Sequence, residues 1–279
     1  MKIECIDCQS PSAPQDFARS LRVTGFAVLT NHGIDADRIE GIYSSWSDFF
    51  GQSDAVKSEF VQAGQRGFFP YLSENAKGAA QKDLKEFFQV YPDSVVPPAQ
   101  EPLTRETYRD LSQLGQTLLG WLHDALPGEL QQQLSMPLAQ MAEQSPKTMF
   151  RILHYPPVDT EYAKAGAIRA AAHEDINLIT LLLAGSAPGL QAQDLQGQWH
   201  EVSCDPGMIA VNAGDMLQMA TQGYFPSTTH RVVNPEGQAA GQARYSMPIF
   251  IHPHATVELK PGTTADDYLN ERLREIGLS

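Results

Sequence analysis

Two ionisable side chains, His173 and Asp175, stand immediately before the apolar segment Ile176 to Ala184. That segment is rich in Leu and Ile and predicts a buried strand. An imidazole and a carboxylate at its start are costly unless another group binds them. Because residues i and i+2 of a strand share a face, the two side chains can converge on one point, whereas Glu174 points away. One histidine and one aspartate are too few to hold a transition metal, so a third ligand is required.

The best candidate for the third ligand is His230, which opens the segment HRVV after the irregular stretch from Thr221 to Thr229. Other histidines on strand-like segments are weaker candidates, being solvated, turned away or without a nearby carboxylate; they are His154, His200, His252 and His254. Two packed sheets bring sequence-distant strands face to face, so His230 can lie beside Asp175. Two histidines and one carboxylate form the facial triad of non-haem Fe(II) oxygenases, which leaves adjacent coordination positions open.

A carboxylate-binding pair follows in the segment ARYSMPIF. Arg244 and Ser246 are again two residues apart, so they share a strand face. A guanidinium fork beside a hydroxyl is well suited to bind a carboxylate. The metal site and this pair together fit a 2-oxo acid, whose keto-acid end would chelate iron while its far carboxylate meets Arg244.

Helices are expected mainly in the first half of the chain. Apolar residues recur at helical spacing in three segments with start or stop signals. These segments are residues 11–25, ended by Gly25; residues 34–52, with Asp35 as candidate N-cap; and Leu103 to Leu126, ended by Pro127 and Gly128. The segment GFAVLTNHG between the first two predicts a strand closed by a turn.

From Met149 onward the chain consists of short apolar segments separated by Pro, Gly and Asn. They are MFRILHYP, INLITLLLA, GLQAQD, WHEVSC, MIAVNAG, MLQMAT, HRVV and RYSMPIFIHP. Regularly spaced short strands are typical of a sandwich or a closed double sheet. We therefore expect an α+β fold, mainly β, with a jelly-roll core and flanking helices that are mostly N-terminal. Residues 1–148 would form a helical region with short strands, packed on a core of residues 149–279 in one compact unit.

The charge balance disfavours two classes of partner. The chain carries 20 Lys and Arg against 33 Asp and Glu, a net charge of −13 that repels phosphate backbones and anionic membranes. We expect neither nucleic acid nor membrane as a partner, but a small-molecule substrate. No signal sequence and no apolar run of bilayer length is visible, so a cytoplasmic location is expected.

The three cysteines, Cys5, Cys8 and Cys204, favour a reducing compartment and argue against a disulfide framework. Cys5 and Cys8 have CxxC spacing, which leaves a redox or zinc site as an alternative. The simpler interpretation of the segment IECIDC is a short strand, because no second CxxC motif follows it.

The motifs HED, HRVV and RYS together resemble the His-x-Asp, His and Arg-x-Ser pattern of the isopenicillin N synthase-like family of Fe(II)/2-oxoglutarate-dependent dioxygenases. The segment GFAVLTNHGI is similar to that family's N-terminal Gly-Phe and Asn-His-Gly-Ile element. The segments PGLQAQD, WHEV, IAVNAGDMLQ and STTHRVV resemble successive stretches of its core. The resemblance runs from about Ile3 to His252 and keeps the order of the family.

The resemblance implies a double-stranded β-helix core that binds Fe(II) through His173, Asp175 and His230. It also implies that Arg244 and Ser246 bind the distal carboxylate of 2-oxoglutarate, with Tyr155 as a further partner. The expected enzyme uses dioxygen to couple oxidative decarboxylation of 2-oxoglutarate to the oxidation, expected as hydroxylation, of an unidentified small molecule.

Three alternatives stay open at this level. An isopenicillin N synthase-like oxidase would use Arg244 and Ser246 on its substrate and need no 2-oxoglutarate. A non-catalytic sensor domain would bind metal and a 2-oxo acid without turnover. A zinc hydrolase has a similar ligand count but leaves Arg244 and Ser246 without a role. The oligomeric state and the roles of four further residues are also open; the residues are Phe68, Phe69, Tyr71 and Asn212, the last as a pocket residue or a turn former.

Overall fold

The computed structural model describes residues 1–73, 84–157, 170–184, 189–233 and 243–275. Its helices are α1 (Ala13–Thr24), α2 (Ala36–Phe50), α3 (Asp54–Ser58), α4 (Glu101–Ala125), α5 (Gly128–Gln131), α6 (Leu138–Met141), α7 (Asp215–Ala220) and α8 (Ala265–Glu275). All but the last two precede residue 149, as expected from the sequence. Within the described ranges, no helix has both the length and the apolar character needed to cross a membrane.

The strands are short and make two main sheets. They are β1 (Cys5–Asp7), β2 (Phe26–Thr30), β3 (Val61–Gln62), β4 (Arg66–Phe69), β5 (Glu86–Val90), β6 (Met149–Tyr155), β7 (Ala170–His173), β8 (Ile179–Leu183), β9 (Leu190–Gln193), β10 (Trp199–Glu201), β11 (Ile209–Ala213), β12 (His230–Val232), β13 (Arg244–Ile251), β14 (Glu258–Lys260) and β15 (Thr263–Thr264). The larger sheet has the order β1-β2-β11-β8-β13-β6-β5-β4-β3, and the smaller has the order β10-β9-β12-β7. Strands from both sides of the predicted boundary at residue 149 therefore lie in the larger sheet.

The three helices predicted in the first half are present with their expected ends. Helix α1 stops at Gly25, whose φ of 69° lets its N–H donate to the Leu21 carbonyl. A Cβ on Gly25 would lie 2.2 Å from Thr228 Oγ1, so only glycine fits this close approach. Helix α2 begins behind Asp35, whose side chain accepts a hydrogen bond from the Asp37 N–H.

The two faces of the larger sheet have different partners. One face packs against the helices in the main core, which includes Phe17, Trp46, Leu118, Leu181 and Ile249. The other face looks toward the smaller sheet, and a second apolar cluster joins residues of the two; its members include Phe26, Val28, Leu190, Ala192 and Ala210. Because side chains alternate along a strand, one strand can contribute to both regions: Phe26 and Val28 of β2 lie in the second cluster, and Ala27 and Leu29 lie in the main core.

The segment MLQMAT, predicted as a strand, is instead part of helix α7. The prediction was wrong because a short apolar run has no clear period and can be buried in either form. In the structure, the N–H groups of Asp215 and Met216 at the start of α7 donate to the carbonyls of Asp175 and Ile176, at 2.7 and 3.2 Å. The helical turn thus holds the loop after β7, and those long-range hydrogen bonds are not visible in the local sequence.

Candidate active site

The predicted metal ligands His173, Asp175 and His230 lie together between the two sheets. His173 is the last residue of β7, and His230 opens the neighbouring antiparallel strand β12 directly opposite it. Asp175 follows β7 by two residues. One ligand atom from each of the three residues lies within 4.8 Å of the others. Among the described residues, these three form the one group of His, Cys, Asp or Glu side chains that could hold a metal ion. Cys5 and Cys8, the cysteines with CxxC spacing, belong to no such group there.

The two carboxylate oxygens of Asp175 have different environments. Oδ2 accepts hydrogen bonds from Thr180 Oγ1 at 2.6 Å and from Asn212 Nδ2 at 2.8 Å. Oδ1 faces the Nε2 atoms of His173 and His230, at 3.7 and 3.8 Å. One oxygen is thus anchored by the protein, and the other converges with the two imidazoles.

The tautomers of both histidines follow from their hydrogen bonds. His173 Nδ1 lies 2.7 Å from the carbonyl of Ala171, and His230 Nδ1 lies 3.1 Å from the carbonyl of Thr228. A carbonyl oxygen can only accept, so each Nδ1 carries the hydrogen and each Nε2 presents its lone pair. Metal-binding histidines typically have this arrangement, in which the second ring nitrogen donates to a backbone carbonyl.

The protonation states also favour a metal. Packing of protein around the ring lowers the pKa of His173 to about 4 although 47% of its side chain is exposed, and the adjacent His230 adds to the shift. Burial alone would raise the pKa of Asp175, but the two imidazoles and the hydrogen bonds from Asn212 and Thr180 hold it below its usual value. At neutral pH the site therefore offers a neutral imidazole at His173 and a carboxylate. This donor set fits a divalent transition metal.

The loop that carries Asp175 is pinned from the other side of the site. The N–H of Gly214 donates to the carbonyl of Leu178, directly before helix α7. A Cβ on Gly214 would lie 2.2 Å from the carbonyl oxygen of Asn177. The absence of a side chain at residue 214 thus permits the close contact that places Asp175 beneath the two histidines.

The predicted carboxylate-binding residues are close to one another on the inner face of the larger sheet. Arg244 pairs with Tyr155 across the β13–β6 ladder, and Ser246 pairs with Leu153. The Arg244 guanidinium carbon lies 5.6 Å from the centre of the Tyr155 ring. Arg244, Ser246 and Tyr155 are all buried, with 2%, 4% and 3% exposure. A buried guanidinium with a hydroxyl on the same strand face can bind a carboxylate by charge-assisted hydrogen bonds.

The structure shows the contacts of several residues whose roles the sequence left open. Asn212 supports Asp175, as does Thr180, which the sequence analysis missed; its polarity in the run ITLLL was the available signal. Phe68 packs against Phe49 in the main core, at 5.9 Å between ring centres, and so faces away from the site. Phe69 joins the inner-face cluster with Tyr155.

The histidines rejected as ligands have other partners. His154 lies 2.8 Å from Glu86, and His200 lies 2.5 Å from Asp194. His254 contacts the carbonyl of Glu143.

Two family models match different parts of the chain. Residues 146–253 match the model of the 2OG-Fe(II) oxygenase superfamily. Residues 3–114 match that of the N-terminal region of non-haem dioxygenases in morphine synthesis. A 2-oxoglutarate-dependent dioxygenase of Monascus ruber is 28% identical over 85% of this chain and 78% of its own length.

Solved structures extend the comparison to the whole chain. A protein of Shewanella oneidensis assigned as an oxygenase is 46% identical, covers 100% of both chains and has a TM-score of 0.90. A protein of Caulobacter crescentus assigned to the 2OG-Fe(II) oxygenase family is 32% identical over 98% of this chain and 99% of its own, with a TM-score of 0.83. These neighbours confirm the predicted mainly β fold with a double-stranded β-helix core. The chain belongs to the 2OG-Fe(II) oxygenase superfamily and is a dioxygenase that requires Fe(II), 2-oxoglutarate and dioxygen.

Proposed function

We propose that His173, Asp175 and His230 are the Fe(II) ligands of this dioxygenase. The observation that carries the proposal is the orientation of the three side chains. Both Nε2 atoms and Asp175 Oδ1 point at one another, while both Nδ1 atoms and Asp175 Oδ2 are held by other protein groups. The ligand atoms that do not face the metal position already have hydrogen-bond partners. These hydrogen bonds orient the three side chains before a metal binds.

Arg244 and Ser246 are proposed to hold the distal carboxylate of 2-oxoglutarate, with Tyr155 beside them. These three side chains are buried, so little water competes for their hydrogen bonds. Hydrogen bonds from the Arg244 guanidinium to a bound carboxylate are strengthened by this exclusion of water. Strand β13 lies next to β8, whose Thr180 supports Asp175, so one rigid sheet positions both the clamp and a metal ligand. Rigid strands hold such groups more precisely than loops do.

The proposed reaction is the hydroxylation of a small molecule. When bound, Fe(II) supplies the dioxygen chemistry that couples oxidative decarboxylation of 2-oxoglutarate to oxidation of the substrate. The protein's part is to hold the two imidazoles and the carboxylate toward one point, where they would bind the metal, and to orient the cosubstrate through Arg244. A solved structure of the same fold, from Neurospora crassa at 22% identity and a TM-score of 0.80, was obtained with alpha-KG and thymine, which supports a small-molecule substrate here.

The test is anaerobic addition of Fe(II) with and without 2-oxoglutarate. A 2-oxo acid that chelates Fe(II) gives a visible absorption band, so the wild-type protein should show the band only with both present. His230→Ala should abolish the band, and Arg244→Ala should weaken it by raising the 2-oxoglutarate concentration required. His200→Ala and Arg19→Ala are matched controls outside the site and should leave it unchanged. A full-strength band in His230→Ala would overturn the ligand assignment.

A further inference from the structure

A second cationic group lies on the same inner face as the proposed cosubstrate clamp. Arg151 precedes Leu153 by two residues and Tyr155 by four on strand β6, so all three side chains share one face. Its guanidinium carbon lies 4.8 Å from the centre of the Phe87 ring and 5.7 Å from that of Phe250. Arg151 is thus framed by two aromatic rings of neighbouring strands, a favourable setting for a guanidinium.

This group lies close to the metal site. Phe250 stands directly opposite Thr180 in the β13–β8 ladder, and Thr180 donates to Asp175. Arg151 therefore neighbours Phe250, which stands opposite the residue that supports a proposed ligand. Lys85, directly before strand β5, adds a second positive charge: its Nζ lies 5.7 Å from the centre of the Phe87 ring.

The Arg151 group is separate from the cosubstrate clamp. Arg244 pairs with Tyr155, four residues along β6 from Arg151, which corresponds to about 13 Å at the rise of a strand. The two guanidinium groups are therefore too far apart to hold the same carboxylate. Arg151 and Arg244 can thus bind two different carboxylates.

The surroundings of Arg151 are flat and apolar. Phe69 and Phe87 are stacked with ring centres 4.5 Å apart and planes inclined by 8°. Arg151, Phe69 and Phe250 are each only partly buried although they are on the inner face. With its amide oriented to satisfy both neighbours, Gln89 accepts a hydrogen bond from Arg151 Nη2 at 3.0 Å and so steadies the guanidinium.

We propose that Arg151 binds a carboxylate of the primary substrate, whose flat apolar body lies against Phe87, Phe69 and Phe250. The planar guanidinium fork matches a carboxylate, and the rings match an aromatic or conjugated scaffold. The inference relies on the proposed function for the position of the metal.

The test compares three acids with their neutral amides: benzoate, phenylacetate and trans-cinnamate against benzamide, phenylacetamide and trans-cinnamamide. Calorimetric titrations use anaerobic protein saturated with Mn(II) and 2-oxoglutarate, with the metal-free chain in parallel. We expect at least one acid to bind the wild type at least tenfold more tightly than its amide. Arg151→Gln should remove that preference, and Arg151→Lys should retain part of it because the charge survives without the fork.

Two further variants separate this inference from the proposed function. Arg244→Ala should weaken 2-oxoglutarate binding but leave the acid preference, while Arg105→Gln, on helix α4, should change neither. Normal 2-oxoglutarate binding by Arg151→Gln shows that this variant is folded. Equal binding of every acid and its amide, absence of binding by all three acids, or an unchanged preference in Arg151→Gln would overturn the inference. An Arg151-dependent preference without 2-oxoglutarate binding would instead contradict the proposed function alone.

Discussion

His173 and His230 face each other across a single antiparallel ladder position, with ring centres 4.4 Å apart. Their strands β7 and β12 are far apart in sequence and adjacent in the smaller sheet. Two of the three proposed ligands therefore depend on one cross-strand register, and a slip of one residue would turn His230 to the opposite face. The third ligand, Asp175, lies in a loop and is held by hydrogen bonds from Thr180 and Asn212. We therefore expect the site to be most sensitive to substitutions at these two residues.

Replacing Asn212 by alanine should weaken metal binding without unfolding the protein. The change removes one of the two hydrogen bonds that anchor Asp175 Oδ2. Loss of an outer hydrogen-bond partner of a metal ligand typically costs about 10–100-fold in affinity. Anaerobic Fe(II) titration would measure the loss, with Asn270→Ala, on the exposed face of α8, as the matched control. Wild-type affinity in Asn212→Ala would show that Thr180 alone suffices to orient the carboxylate.

Replacing Gly214 by alanine should both destabilise the protein and disturb the metal site. The new methyl group would lie 2.2 Å from the Asn177 carbonyl, so the loop of Asp175 must move. Overpacking of this kind costs about 1–3 kcal/mol of unfolding free energy. Gly120→Ala is the control, because nothing lies within 4 Å of a Cβ there and alanine favours its helix. Urea unfolding and Fe(II) titration of both variants test the prediction, which fails if the two alanines behave alike.

Arg244→Lys should impair use of 2-oxoglutarate while leaving iron binding intact. Lysine keeps the charge but loses the planar fork that can bind both oxygens of a carboxylate. A tenfold or greater rise in the KM for 2-oxoglutarate is expected, equivalent to about 1.4 kcal/mol. Cosubstrate turnover can be followed by succinate release, and Fe(II) affinity by anaerobic titration. A parallel loss of iron affinity would mean that the change had disturbed the whole sheet rather than the clamp.

Breaking a buried ion pair on the helical side of the sheet should destabilise the protein strongly, because one charge is then left buried without its partner. Lys57 Nζ lies 2.8 Å from Glu86 Oε2, and His154 Nδ1 lies 2.8 Å from the other carboxylate oxygen. Glu86→Gln leaves the Lys57 charge buried with only the exposed carboxylate of Asp54, at a cost of about 3–5 kcal/mol. The double variant Lys57→Met, Glu86→Gln should recover much of this loss in urea unfolding. Asp54→Asn is the control and should cost less than about 1 kcal/mol.

The same pair predicts a pH dependence. Burial works against the charge of Lys57, but hydrogen bonds to Glu86 and Asp54 raise its pKa above the ordinary value of 10.5. A raised pKa in the folded state means that the stabilisation is complete below pH 10.5 and is lost as the pH rises through the folded value. The difference in unfolding free energy between wild type and Glu86→Gln should therefore shrink as the pH rises above 10.5. A difference that grows over this range would contradict the assignment.

The sequence was most informative where the chemistry follows the period of a strand. The spacing of Arg244 and Ser246 placed both on one face of β13 without knowledge of the fold. His173 and Asp175 do converge, but not as neighbours on one strand face, because β7 ends at His173 and Asp175 lies in the loop that follows. Asn212 and Thr180 were harder to assign. They stand opposite each other in the β11–β8 ladder, and this pairing, which local spacing does not reveal, brings Asn212 close to Asp175. Helix α7 was mistaken for a strand for the same reason, since its start is determined by hydrogen bonds to residues 175 and 176.

The hydrogen bonds of the two imidazoles have a consequence for engineering. His173 and His230 each contact a carbonyl two residues earlier in their own segment, at Ala171 and Thr228. A backbone carbonyl is still present after any side-chain substitution at residues 171 and 228. We therefore expect such substitutions to have little effect on how strongly the two imidazoles donate electrons to a metal. Asp175, held by two side chains, is the adjustable ligand. Attempts to retune this centre for another metal or redox behaviour should therefore begin with libraries at residues 180 and 212, where a change reaches one donor atom and spares the other two.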